Sequence, residues 1–152
     1  MNLRVRESGF TLIELLVTLT VLGVLLGIAV PSFRDFMATQ RVKSAAFDLA
    51  AALLLARSEA VKRNADVTVA PATGTDWTTG WTVKAGATTL LQKETIEGVA
   101  ISSPTTTTSL TFKSTGRVGV DAKFQFEGTS STVRCVRVDA AGIPSTTNVA
   151  CS

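Results

Sequence analysis

The chain has 152 residues, no histidine, two cysteines and a formal net charge of +3. That length suits one small domain. Without histidine, and with no carboxylate pair or metal-ligand spacing, the sequence offers no catalytic residue, metal site or cofactor site. The charge is too mild to imply nucleic acid by itself, although it leaves room for a local basic patch.

Residues 1–9 form a short basic segment with Arg4 and Arg6 against Glu7. An apolar run follows from Phe10 to Val30, long enough as a helix to span the roughly 30 Å core of a bilayer. A positive leader favours the cytoplasmic side, which puts the rest of the chain outside. One acid, Glu14, interrupts the run, and an ionised side chain within such a segment costs roughly 2.5–3.5 kcal/mol. No Lys or Arg lies between Arg6 and Arg34, so its partner must be another chain or a backbone amine. Cleavage between Gly9 and Phe10 would create that amine and would leave the helix attached, unlike removal of an ordinary secretory signal.

Further along, Gly23, Gly27 and Pro31 weaken the helix. Pro31 has no N–H for the Gly27 carbonyl, and a hinge or kink is expected there. Gly23 and Gly27 also have the spacing of a small-residue contact between membrane helices.

At Gly9-Phe10-Thr11-Leu12-Ile13-Glu14 the chain resembles the type IV prepilins and the pseudopilins of type II secretion. The resemblance implies a prepilin peptidase that cuts after Gly9 and methylates Phe10. It implies that Glu14 pairs with the amino terminus of a neighbouring subunit during filament assembly, and that the helix loosens between Gly27 and Pro31 when packed. The partners it implies are other pilins or pseudopilins and the inner membrane, with the pilus fibre as the final location.

Residues 31–65 are expected to continue as an amphipathic helix. Val42, Ala46, Leu49, Leu53, Ala56 and Ala60 form one apolar stripe, with Arg41, Ser44, Asp48, Glu59 and Lys62 on the other side. Glu59 and Arg63 stand at i,i+4 as a solvated ion pair. Residues 66–152 are rich in Thr, Ser, Gly and Val, which favours a β-rich head. Strands are predicted at Val67–Ala70, Gly80–Lys84, Leu90–Glu94, Val99–Ser102, Leu110–Lys113, Lys123–Glu127 and Val133–Val138. Phe124 and Phe126, like Leu110 and Phe112, should face the core. Pro104–Ser109 reads as a loop. The fold class is therefore α+β, a pilin-like long helix packed on an antiparallel head.

Cys135 and Cys151 both fall in the exported part, where an oxidising compartment would let them pair. Ala56 to Asn64, followed by a Val-rich strand and then Asp76-Trp77-Thr78-Thr79-Gly80-Trp81, resembles the GspH/FimT group of minor pilins and pseudopilins. Trp77 and Trp81 read as aromatic anchors at a strand start, their indole N–H groups near the surface. This resemblance favours a minor type IV pilin, with a type II secretion pseudopilin as the rival. Some members of the group bind DNA through a Gly-Arg-x-Arg element, which here corresponds to Gly142-Ile143-Pro144-Ser145, without its arginines. Arg134 and Arg137 should point to opposite faces of one strand, and Lys113, Arg117 and Lys123 are scattered, so DNA contact is the less favoured reading.

Overall fold

The structure, a computed structural model, describes residues 9–129 and 131–152. The leader arginines Arg4 and Arg6 and Glu7 lie outside the described residues. The chain divides between Phe36 and Met37 into two compact units.

The first unit is the start of one long helix, α1 (Leu12–Arg63). Its large apolar side chains, from Phe10 through Phe36, are all exposed. This stretch is long and apolar enough to cross a membrane, with a mean hydropathy of 2.5 in its most apolar window. Pro31 stays inside α1, and the helix runs on without a break. A kink at this position is compatible with that continuity. One proline removes a single i→i−4 bond, and the turns on either side remain helical. Just beyond it, the Ser32 hydroxyl donates back to the Ile28 carbonyl.

The second unit holds the rest of α1 and two four-stranded antiparallel sheets. The strands are β1 (Val67–Pro71), β2 (Gly80–Ala85), β3 (Thr88–Glu94), β4 (Val99–Ser102), β5 (Leu110–Phe112), β6 (Ala122–Gly128), β7 (Val133–Val138) and β8 (Pro144–Thr147). One sheet has the order β3-β2-β1-β5 and the other β4-β6-β7-β8. All six residues of the expected helical stripe are buried, together with Ala45 and Ala52. They join Val67, Val69, Val83, Phe112, Phe124, Phe126 and Val136 in one core. Five alanines on the helix keep that face small, which lets helix and strands approach closely.

The helix ends where its sequence supplies a stop. Asn64 takes a left-handed φ of 50°, its N–H donates to Val61, and the Ala65 N–H reaches the Ala60 carbonyl. Those two bonds are the Schellman pattern, with asparagine in the place glycine usually holds. On the last turns the Arg63 guanidinium lies 2.5 Å from Glu59 and Lys62 lies 3.5 Å from it. The Arg63 hydrogen bond holds the Glu59 carboxyl below its ordinary value. Its contribution is therefore present above the ordinary carboxylate range and fades as pH falls through the lowered value.

β8 is the one strand the sequence reading missed. Pro144-Ser145-Thr146-Thr147 carries no apolar alternation, and it pairs only with β7, at the sheet edge. A proline at the first position of an edge strand is compatible with pairing. Gly80 is the tightest position in the first sheet. Its φ is +93°, and a Cβ there would lie 2.1 Å from the Lys93 carbonyl oxygen. Gly80→Ala should therefore destabilise the head by roughly 2 kcal/mol. A urea melt of the full chain in detergent, followed by tryptophan fluorescence, reads this directly. An unchanged midpoint would contradict the close approach of β2 and β3.

Candidate functional site

The amino-terminal motif sits at the very start of α1. Thr11 precedes the first helical residue, and its hydroxyl accepts the Glu14 N–H at 3.3 Å. A threonine cap with glutamate three residues on is the capping-box spacing, and it satisfies a helix-start donor that has no intrahelical partner. Glu14 is also the acid of the first turn, where the positive end of the helix dipole favours it. Thr11 was missed in the sequence reading, although the Thr-x-x-Glu spacing was its signal. Gly9 and Phe10 stand exposed ahead of the helix, so the expected scissile bond is accessible. A Cβ added at Gly9, Gly23 or Gly27 would meet nothing within 4 Å. Nothing among the described residues calls for glycine at these positions, while a glycine inside a helix costs about 1 kcal/mol relative to alanine.

The five cations named as DNA candidates do not form one surface. Antiparallel register sets Lys123 directly opposite Arg137, and Phe126 opposite Arg134. Arg137 and Lys123 thus share the outer face of the second sheet, while Arg134 lies on the core-facing side, as strand alternation requires. The Arg134 Nε is buried without a hydrogen-bond partner among the described residues. Lys113 is held by Asp66 at 2.6 Å. Arg117 is exposed on the turn after β5, where its carbonyl accepts the Lys113 N–H. The outer-face pair is also balanced. Asp121 and Asp139 line the same small cavity as Lys123 and Arg137, and the Lys123 ammonium donates to the Ser152 carbonyl.

That turn after β5 is fastened to the helix and to the segment where the family's arginine element would fall. Arg57 Nε donates to the Gly116 carbonyl at 3.1 Å. Gly142, with φ of +76°, sits so close that a Cβ would lie 2.1 Å from the Gly116 oxygen. After Gly142, Ile143 and Ser145 are exposed where the family carries arginine, and Ser145 pairs with Arg137. Arg57 was singled out only as part of a family stretch, and its anchoring role becomes visible once Gly116 is placed.

Cys135 and Cys151 are bonded. Cys135 lies on the outer face, opposite Gln125, yet it is only 1% exposed. The returning tail covers it, and the Cys151 N–H donates to Gln125 Oε1 at 2.9 Å. Trp77 is buried and donates its indole N–H to the Thr107 carbonyl at 2.7 Å, and its ring meets Phe124 edge-on at 4.6 Å. Trp81 corrects the sequence reading. Its side chain is fully buried and its Nε1, far from lying near the surface, has no hydrogen-bond partner among the described residues. Among the described residues, no group of three or more His, Cys, Asp or Glu side chains could hold a metal ion.

Comparison with known proteins agrees with this architecture. The model of the prokaryotic N-terminal methylation motif matches residues 4–30, and that of the type II transport protein GspH matches residues 45–142. A fimbrial protein of Pseudomonas aeruginosa is 32% identical over 76 residues, covering 50% of this chain and 49% of that protein. One from Moraxella nonliquefaciens is 46% identical over 44 residues, covering 29% and 28%. The chain thus spans about half or less of the length of the curated relatives it matches. The crystal structure of the type IV minor pilin FimU of Pseudomonas aeruginosa superposes with a TM-score of 0.65 at 23% identity, covering 74% of this chain and 92% of that one. A second crystal form of FimU gives 0.61 at 24%. At that identity the likeness speaks for the fold, a long helix on an antiparallel β head. With nearly all of its head matched by one family model and its helix start by another, the chain belongs to the GspH family of pilin-like proteins.

Proposed function

We propose that this chain is a minor type IV pilin subunit, whose work is assembly and not catalysis. Residues 10–30 anchor it in the inner membrane with the head on the periplasmic side, and assembly then carries it into the pilus fibre or its tip. A prepilin peptidase removes residues 1–9 and methylates Phe10. Glu14 then meets the amino terminus of a neighbouring pilin, which neutralises its charge within the apolar layer. The observation that carries the reading is the start of α1: a wholly exposed apolar helix whose one acid sits in the first turn beside an exposed Gly9–Phe10 bond.

The capping box sets the terms of the test. Glu14→Ala removes both the charge and the polar side chain at the third helical position, whereas Glu14→Gln removes the charge alone and keeps a residue suited to that position. Both variants should insert and be processed, and both should be strongly depleted from sheared filaments. Recovery of Glu14→Gln at the wild-type level, with Glu14→Ala depleted, would reduce Glu14 to a helix cap and remove the charge-pairing role. A second reading, a pseudopilin of type II secretion, is favoured by the description of the matching family. Crosslinking of the head in intact cells separates the two, since neighbours would be minor pilins in one case and secretion components in the other.

A further inference from the structure

We propose that Thr108, in the threonine run between β4 and β5, is the acceptor for a covalently attached sugar. Loop 103–109 consists of Pro104, four threonines and two serines, a composition typical of O-glycosylated segments. Its hydroxyls divide into two sets. Ser103 Oγ donates to the Lys123 carbonyl at 2.9 Å and accepts the Thr107 N–H at 3.1 Å. Thr105 Oγ1 accepts the Lys123 N–H at 3.2 Å and bonds to Thr107 Oγ1 at 2.8 Å. Together with the Thr107 carbonyl, which takes the Trp77 indole N–H, these groups fasten the loop to β6 and to the core. Thr108 and Ser109 stand apart. Both are exposed, and their hydroxyls make no hydrogen bond among the described residues.

The backbone adds an independent observation. Thr106 has a φ of 49°, a left-handed conformation that a β-branched residue rarely adopts and that glycine takes without strain. Its exposed hydroxyl donates only to the adjacent Thr105 carbonyl. The run thus keeps hydroxyl side chains beyond those its fold uses, one of them in a strained conformation, and such an outlier points to function. Thr108, unlike Ser109, also borders an open cleft of about 250 Å³ shared with Thr75, Asp76 and Ile101. Asp76 Oδ1 accepts one bond, from the Thr78 N–H, and a carboxylate has acceptor capacity for more. A sugar ring linked to Thr108 would offer its hydroxyls to Asp76 and Thr75 and a C–H face to Ile101. A phosphate suits the place less well, because Asp76 would repel it and no charged residue lies from Gly98 to Phe112 to balance it. In the transfer, Thr108 Oγ1 attacks the anomeric carbon of a sugar activated as a diphosphate ester. The C–O bond to the diphosphate breaks, its electron pair leaves with the diphosphate, and the hydroxyl proton passes to a base of the transferase.

The test is the intact mass of the full chain, purified in detergent from the cells that naturally make it, followed by peptide fragmentation that preserves side-chain adducts. The wild type should carry one added sugar mass, mapped to Thr108. Thr108→Val should lose it with an unchanged melting temperature, since this hydroxyl holds nothing in the fold, while Thr108→Ser and Ser109→Ala should retain it. An unmodified wild-type mass, a phosphate adduct, or a sugar mapped to any other residue would overturn the proposal. So would a sugar that persists in Thr108→Val. Filament assembly does not enter this readout, so its outcome stands apart from the assignment as a pilin.

Discussion

Gly9→Leu is expected to abolish processing and leave residues 1–9 on the chain. Gly9 precedes α1, is exposed, and a Cβ there would meet none of the described residues within 4 Å. Leucine therefore fits the protein itself, and any block must arise in the peptidase, which the family resemblance describes as demanding a residue without a side chain at the scissile bond. The same substitution extends the apolar run by one residue, so membrane insertion should persist. Mass spectrometry of the membrane-bound chain measures the outcome as all or none. A mutant chain beginning at Phe10 would remove the cleavage assignment, as would a wild-type chain that keeps its first nine residues. Because the retained leader denies Phe10 a free amine, the mutant should also be missing from filaments. That loss separates the amine partner from the Glu14 carboxylate, which the substitution leaves untouched.

What the sequence disclosed and what it concealed divide along physical lines. The helical stripe from Val42 to Ala60 was legible because burial on one face of a helix imposes a 3.6-residue period that composition alone cannot mimic. Phe124 and Phe126 were legible for the same reason at period two. β8 was hidden because its pairing depends on a neighbour and not on its own residues. Pro144-Ser145-Thr146-Thr147 has no face to bury, and its partner β7 lies outside any local window. At Pro31 the helix continues on both sides, which is compatible with a kink, since proline removes one bond and leaves the flanking turns helical. The reading of Trp81 went wrong. An indole usually keeps its N–H near water or a partner, and only the folded structure shows that this one is buried with no partner among the described residues. On β7, strand alternation alone separates Arg134 from Arg137, and that much follows from local sequence. The Asp66 pairing of Lys113 and the junction of Arg57 with Gly116 are long-range contacts, and no local pattern announces them.

Cys135→Ser is expected to free the tail and lower head stability by roughly 2–4 kcal/mol. The two cysteines are 16 residues apart, and closing a loop of that size is worth about 3 kcal/mol in the chain-entropy account. Little else holds this end. Ile143 is 51% exposed and Val149 65% exposed, so neither contributes much burial against the 1–2 kcal/mol of backbone entropy that each ordered residue costs. The polar contacts are few: Cys151 N–H to Gln125, and the Lys123 ammonium to the Ser152 carbonyl. Both are reached only because the disulfide has already brought the tail across β7 to β6. β8 pairs with β7 immediately before that crossing, so loss of the bond should fray the strand as well as the residues after it. Cys151→Ser should behave alike, and the double variant should cost no more than either one, since each removes the same crosslink. Urea melts measure the stability, and hydrogen exchange of residues 144–152 measures the fraying. Two free thiols in protein taken directly from the periplasm, or an unfolding midpoint indifferent to reduction, would show that this end is ordered by something other than the bond. In the oxidised protein, the crossing tail covers Cys135 and takes one donor of the Lys123–Arg137 pair.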